Sequence, residues 1–125
     1  MLFRSAALIT RGLAEITRLA EVMGAEPRTM SGLAGMGDLI LTCTGDLSRN
    51  RKVGIELARG RALAEILAST PTVAEGVETN SSAVALGAKF RVDLPIIQQM
   101  HAVLHGTKPP REAIRDLMER ALKSE

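Results

Sequence analysis

Asp38 and the triplet Ser48-Arg49-Asn50 are the residues whose types and spacing could do chemistry, the acid standing ten positions ahead of the triplet. The triplet falls where a helix is expected to open. The first amide N–H groups of a helix lack partners within it and the macrodipole is positive there, so that end is a seat for an anion. Arg49 adds a planar fork that grips phosphate through two parallel bonds, and Ser48 and Asn50 add uncharged donors beside it. A carboxylate repels phosphate, so Asp38 must address a hydroxyl or an ammonium. The four residues describe a phosphate clamp with a separate polar end, suited to a small phosphorylated molecule that carries hydroxyls. Each also has a plainer reading: Asp38 and Ser48 as helix caps, Asn50 as a first-turn polar residue, Arg49 as a solvated surface charge.

Other candidates are weaker. Val73 and Glu75, in TVAEGVET, read by themselves as a loop and as a helix-start acid that suits the macrodipole. Cys43 lies in a mostly apolar run with no neighbouring base, so it is expected to be a buried small hydrophobe rather than a nucleophile. His101 and His105 could share a helical face, but the third ligand and the HExxH pattern are missing; packing or surface roles are expected, and no metal.

The elements that must hold these groups are helices. Leu8, Ile9, Leu13, Ile16, Leu19, Ala20 and Met23 recur at steps of three and four, which predicts one amphipathic helix from Arg4 to Met23, stopped by Gly24. Beyond Glu26-Pro27 a short helical piece around Arg28 to Ala34 leads to Gly32, Gly35 and Gly37, which permit close backbone approach and positive φ. Asp38 is then expected as the N-cap of a helix through Leu39-Ile40-Leu41. Residues 39–43 could also be a strand, but no partner strand is evident. Gly45-Asp46 breaks that element, and Arg49 to Arg59 resumes helix. Further helices are predicted over Arg61 to Ser69, Gly76 to Phe90 and Leu94 to His105, the last begun through Pro95, with a loop at Thr70-Pro71-Thr72 and a turn from Gly106 to Pro110. A final helix, Arg111 to Lys123, would place Ile114, Leu117, Met118 and Ala121 on one face. There is no internal repeat.

Composition agrees with an all-α fold. Of the 125 residues, 46% are apolar but only 2% aromatic, so Leu, Ala, Ile, Val and Met must fill the core; Ala, Leu, Met, Glu, Lys and Arg have high helix propensity, and the β-favouring aromatics are nearly missing. The length suits one domain with a single core. Sixteen Lys and Arg are interspersed with 14 Asp and Glu for a net +2, which is mild attraction to anions rather than a basic stripe. Without Trp or Tyr to stack bases, nucleic-acid binding is disfavoured. Nothing resembles a signal segment or a membrane span, and the single cysteine cannot form an internal disulfide, so a reducing, cytoplasmic setting is expected.

The run GMGDLILTCTGDLSRNRKVG, with ALITRGLAEITRLAEVMGAEP before it and VAEGVETN after it, resembles the C-terminal, substrate-binding domain of bacterial NAD(P)-dependent glycerol-3-phosphate dehydrogenase. The resemblance covers residues 6–125. It implies a compact multi-helix domain like the C-terminal domain of 6-phosphogluconate dehydrogenase-like enzymes. It also implies an oxidoreductase that interconverts dihydroxyacetone phosphate and sn-glycerol 3-phosphate with NAD(P)H. On this basis Asp38 is a substrate-contacting and supporting catalytic residue, and Ser48, Arg49 and Asn50 surround the substrate phosphate. Arg49, Val73 and Glu75 contact the cofactor. The catalytic lysine of the family, in an Ala-Leu-Lys-Asn run, and its glycine-rich cofactor turn are absent from this sequence. Residues 1–5 are an atypical start, with Phe3 where the family has Asn in a Gly-x-Asn turn. The expectation is therefore a truncated reading of a longer enzyme, inactive alone, whose partner would be its Rossmann domain and whose full form could be a homodimer. A stand-alone helical anion-binding or protein-interaction module is the alternative, with a small basic nucleic-acid binder third.

Overall fold

The computed structural model describes residues 2–45, 48–70 and 74–120, and among these every regular element is helical. In chain order they are α1 (Leu2–Val22), α2 (Pro27–Met30), a π-helical turn (Leu33–Gly37), α3 (Asp38–Thr44), α4 (Arg49–Ala58), α5 (Leu63–Ser69), α6 (Glu75–Phe90), α7 (Pro95–Leu104) and α8 (Pro110–Glu119). The all-α expectation holds, and residues 39–43 are helix rather than strand.

Two sets of contacts build the body. α6, α7 and α8 pack in succession, and α1 lies across α3, α6 and α7; α4 closes the other side against α5, α6 and α8. The core sits where α4 meets its neighbours: Val53 and Leu57 of α4, Ile66 of α5, Ala74, Val103 of α7 and Ala113 of α8 are buried together, with Leu63, Val77 and Leu104 against them. Each fully buried aliphatic side chain contributes roughly 1.5–3 kcal/mol. The cluster thereby fixes the direction of α4, the helix whose first turn carries the triplet.

Proline begins α2, α7 and α8, as its fixed φ and missing N–H favour at a first helical position. The left-handed Gly24, at φ 97, follows α1 as expected.

Several expectations need correction. Asp38 is not an N-cap: Gly37 holds that position in helical conformation (φ −61, ψ −48) because the π-turn runs straight into α3, leaving Asp38 as the first residue of the helix. Gly32, Gly35 and Gly37 have no positive φ. The close approach does occur at Gly35, where a Cβ would lie 2.0 Å from the carbonyl oxygen of Met30. Cys43 is exposed, because α3 is a short rim helix with only one side against the body. On α8 the buried face is Ala113 and Leu117, while Ile114 is 43% exposed and lines an open groove. α5 starts at Leu63, two residues late, since Ala62 is extended and the Arg61 guanidinium is drawn to Glu56 and Ser69. Asp46, Ala121 and the Pro71-Thr72 part of the expected loop lie outside the described residues.

Candidate functional site

Ser48 opens α4 in the manner its type predicts. Its backbone is extended (φ −69, ψ 121) and its Oγ accepts the N–H of Arg51 at 3.2 Å, satisfying one of the orphan donors of the first turn. Arg49 and Asn50 follow as the first two helical residues, both exposed. Their side chains serve different clefts.

Arg49 lines a small cleft of about 110 Å³ between α4, α5 and the start of α6, with Lys52, Arg61, Glu56, Ser69 and Thr70 around it. Glu56 answers the charge of Arg61 and Arg59, accepting a bond of 2.8 Å from each, and the bond from Arg61 is the main cause holding its carboxyl below the usual range. The cleft is therefore cationic with one internal counter-charge.

Asn50 reaches the start of α6. Ala74, the residue before that helix, has no side-chain acceptor to cap it, and Oδ1 of Asn50 takes the N–H of Gly76 at 2.9 Å instead. Two helix N-termini, both positive ends of their dipoles, are thereby fastened together. Glu75, exposed at the first position of α6, adds an acid at this junction, of a type suited to a hydroxyl or an amide, with Glu78 in the same first turn. Behind it opens a second cleft of about 270 Å³ lined by Asn50, Gly54, Gly76, Thr79, Asn80 and Met100 among others.

Asp38 stands apart. It is exposed at the start of α3 and lines neither of these clefts. Leu39 and Cys43 on the same helix instead border an apolar groove of about 490 Å³ floored by α1, α7 and α8. Desolvation on that side raises the Cys43 thiol, which opposes the thiolate a nucleophile needs. The structure thus sets Ser48, Arg49 and Asn50 at the opening of α4, with Asn50 bonded to the start of α6 that carries Glu75, and leaves Asp38 on α3. Val73 lies outside the described residues.

Residues 4–115 match the family described as NAD-dependent glycerol-3-phosphate dehydrogenase C-terminus. The chain belongs to this family. It is 62% identical over 120 residues to a glycerol-3-phosphate dehydrogenase (NAD(P)+) of Geobacter sp. (strain M21), matching 96% of this chain and 36% of that protein. A glycerol-3-phosphate dehydrogenase (NAD(P)+) of Oleidesulfovibrio alaskensis is 58% identical over the same shares. The crystal structure of glycerol-3-phosphate dehydrogenase from Coxiella burnetii superposes with a TM-score of 0.88 at 42% identity, covering 92% of this chain and 35% of that one. The chain spans about a third of the length of the curated relatives it matches.

In this dehydrogenase domain two polar residues escaped the sequence reading. Asn80, 8% exposed at the back of the second cleft, donates from Nδ2 to the carbonyl of Ile97 at 3.0 Å and faces Nδ1 of His101 from Oδ1 at 3.1 Å. An amide oxygen only accepts, so His101 carries its proton on Nδ1. The ring of His105 lies 4.0 Å from that of His101, tilted by 37°, which is a packing arrangement. Glu15 is 1% exposed, and its carboxylate takes the N–H groups of both Ile96 and Ile97 at 3.1 Å. A signal for Glu15 existed: it lies on the apolar face of α1 with Leu8, Gly12 and Leu19, and the helix beginning Leu94-Pro95 has no acceptor of its own.

Proposed function

We propose that this chain grips the substrate in an enzyme that interconverts dihydroxyacetone phosphate and sn-glycerol 3-phosphate with NAD(P)H, the step that supplies the backbone of glycerophospholipids. The observation that carries the reading is the fastening of the first turns of α4 and α6 by Asn50, with Arg49 preceding it as the first residue of α4. Family membership supports it independently. Phosphate seated there meets unpaired first-turn N–H groups, a bidentate cation and neutral donors, all held on packed helices.

Fixing the phosphate end turns binding into placement of the carbonyl carbon three atoms away. Asp38, with an exposed carboxylate at the start of α3, is assigned the hydroxylated end and the lysine of the Ala-Leu-Lys-Asn run that the resemblance implies. NAD(P)H supplies the hydride when bound. The groups present here fit one edge of such a cofactor: Glu75 suits a ribose hydroxyl or a carboxamide, and Arg49 suits its phosphate; Val73 is assigned beside them. The proton for the developing alkoxide must come from the lysine, for which Asp38 is the orienting carboxylate.

A homodimer and a cytoplasmic setting belong to the same proposal. Leu33, Met36, Ile40 and Leu41 are exposed around the π-turn and α3, an apolar surface that a further domain or a second copy would cover.

The test uses the Geobacter relative with its matching segment replaced by this chain. That protein is expected to reduce dihydroxyacetone phosphate, and the 125-residue chain alone is expected not to. Arg49→Ala should weaken the hold on substrate by roughly 1.5–3 kcal/mol, the worth of a bond to a charged group, seen as a rise in KM. An unchanged KM and kcat would remove the clamp from the account.

A further inference from the structure

Gly76 has no conformational need to be glycine. It is the second residue of α6, in a helical stretch where its φ is not positive, and glycine costs a helix up to about 1 kcal/mol relative to alanine. What it does have is a neighbour. A Cβ at this position would lie 2.8 Å from Cγ and Oδ1 of Asn50 and 2.9 Å from Nδ2, and nothing other than Asn50 comes among its nearest atoms. The Asn50 amide therefore lies flat against the bare Cα of Gly76 while its oxygen takes the Gly76 N–H at 2.9 Å.

That pairing decides which way the amide faces. A backbone N–H can be accepted only by the oxygen, so turning the amide over would set two donors against each other. Nδ2 lies against the same bare Cα, 2.9 Å from where a Cβ would stand, and no bond from it is formed among the described residues, so its hydrogens stay available. We propose that Gly76 is a positioning residue: its N–H and its missing side chain lock the Asn50 amide so that Nδ2 presents its donors to the substrate phosphate. This rests on the assignment of Asn50 to the phosphate clamp and adds the residue that aims it. The ligand chemistry is a phosphomonoester, for which fixed neutral donors add selectivity over other anions.

The decisive variant is Gly76→Ala, made in the Geobacter relative carrying this chain, alone and combined with Asn50→Ala. The added methyl meets the end of one side chain rather than backbone, so Asn50 yields and the helix stays, with a melting temperature unchanged or higher because alanine is the better helix former. KM for dihydroxyacetone phosphate should rise about tenfold with kcat nearly unchanged, the pattern of lost uniform binding. In the Asn50→Ala background the same change should add nothing. An unaltered KM, or an equal rise in both backgrounds, overturns the positioning role and leaves the clamp standing. Absence of turnover in the unsubstituted protein overturns the clamp and this inference with it. Independently, in the 125-residue chain Asn50→Ala should speed amide hydrogen exchange at Gly76, and unchanged exchange there would show that the lock does not exist.

Discussion

α6 and α7 begin with the same deficiency, Ala74 and Leu94 standing where a cap is needed, and each borrows an acceptor from another helix. At α7 the lender is Glu15 of α1, at α6 it is Asn50 of α4. Glu15 is buried, charged and spends both oxygens on two N–H groups, so it has nothing left to offer a ligand. Asn50 is exposed, neutral and spends only its oxygen, which leaves a fixed amide nitrogen at the surface. The same capping chemistry becomes a rivet where water is excluded and leaves a donor open to solvent where it is not. Burial, not residue type alone, separates the two caps.

Removing the rivet should have the largest effect. Glu15→Leu leaves the N–H groups of Ile96 and Ile97 buried without acceptors, each worth roughly 1–3 kcal/mol, while relieving some desolvation of the charge. The expected net loss is about 2–4 kcal/mol, read from urea unfolding at neutral pH. The damage should spread: α7 carries the carbonyl of Ile97 that holds Asn80, and Asn80 stands at the back of the cleft behind Asn50. A loss below about 0.5 kcal/mol, the scale of an ordinary surface change, would make Glu15 a bystander.

Asn50→Ala should cost much less, roughly 1 kcal/mol, because the freed N–H of Gly76 can turn to water. Under the proposed clamp its main consequence should fall on phosphate binding, the reverse of the pattern expected at Glu15. A stability loss as large as that of Glu15→Leu would mean the two borrowed caps do not differ as described.

The contrast also explains what the sequence could tell. α1 was legible from apolar steps of three and four, the start of α7 from Pro95 and the opening of α4 from Ser48, because each is decided by neighbours along the chain. The role of Glu15 depends on Ile96 and Ile97, more than eighty residues away, and that of Asn50 on Gly76, 26 residues away. No local pattern encodes such pairs. Asp38 failed as a cap for a different reason: the π-turn delivers a backbone that is already helical at Gly37, and nothing in a Gly-rich run announces a π-turn. Cys43 read as buried, and Ile114 as sharing a face with Leu117, because an apolar pattern cannot distinguish a face that meets the body from one that borders an open groove.

The smallest effect, and the sharpest on mechanism, is the pH dependence of the rivet. Burial is the main cause raising the Glu15 carboxyl above its ordinary value, opposed by the N–H groups of Ile97 and Ile96 and by Arg18, with Asp93 pushing the same way as burial. The folded state then keeps its proton at pH values where the unfolded chain has released it. Stability from this group is fully present below the unfolded value and falls as pH rises through the folded one. Glu56 and Asp116, whose carboxyls are held low by hydrogen bonds from Arg61 and Lys108, slope the other way, gaining stability as pH rises. The curve of the parent alone therefore mixes signs, and the informative quantity is the difference between parent and Glu15→Gln, which keeps one carbonyl acceptor but cannot titrate. That difference should shift in favour of the glutamine variant as pH climbs from the ordinary glutamate range through the raised value, then level off. A difference flat across this interval would mean that the two N–H bonds fully offset the loss of hydration, and the buried cap of α7 would then be as free of electrostatic penalty as the exposed cap of α6.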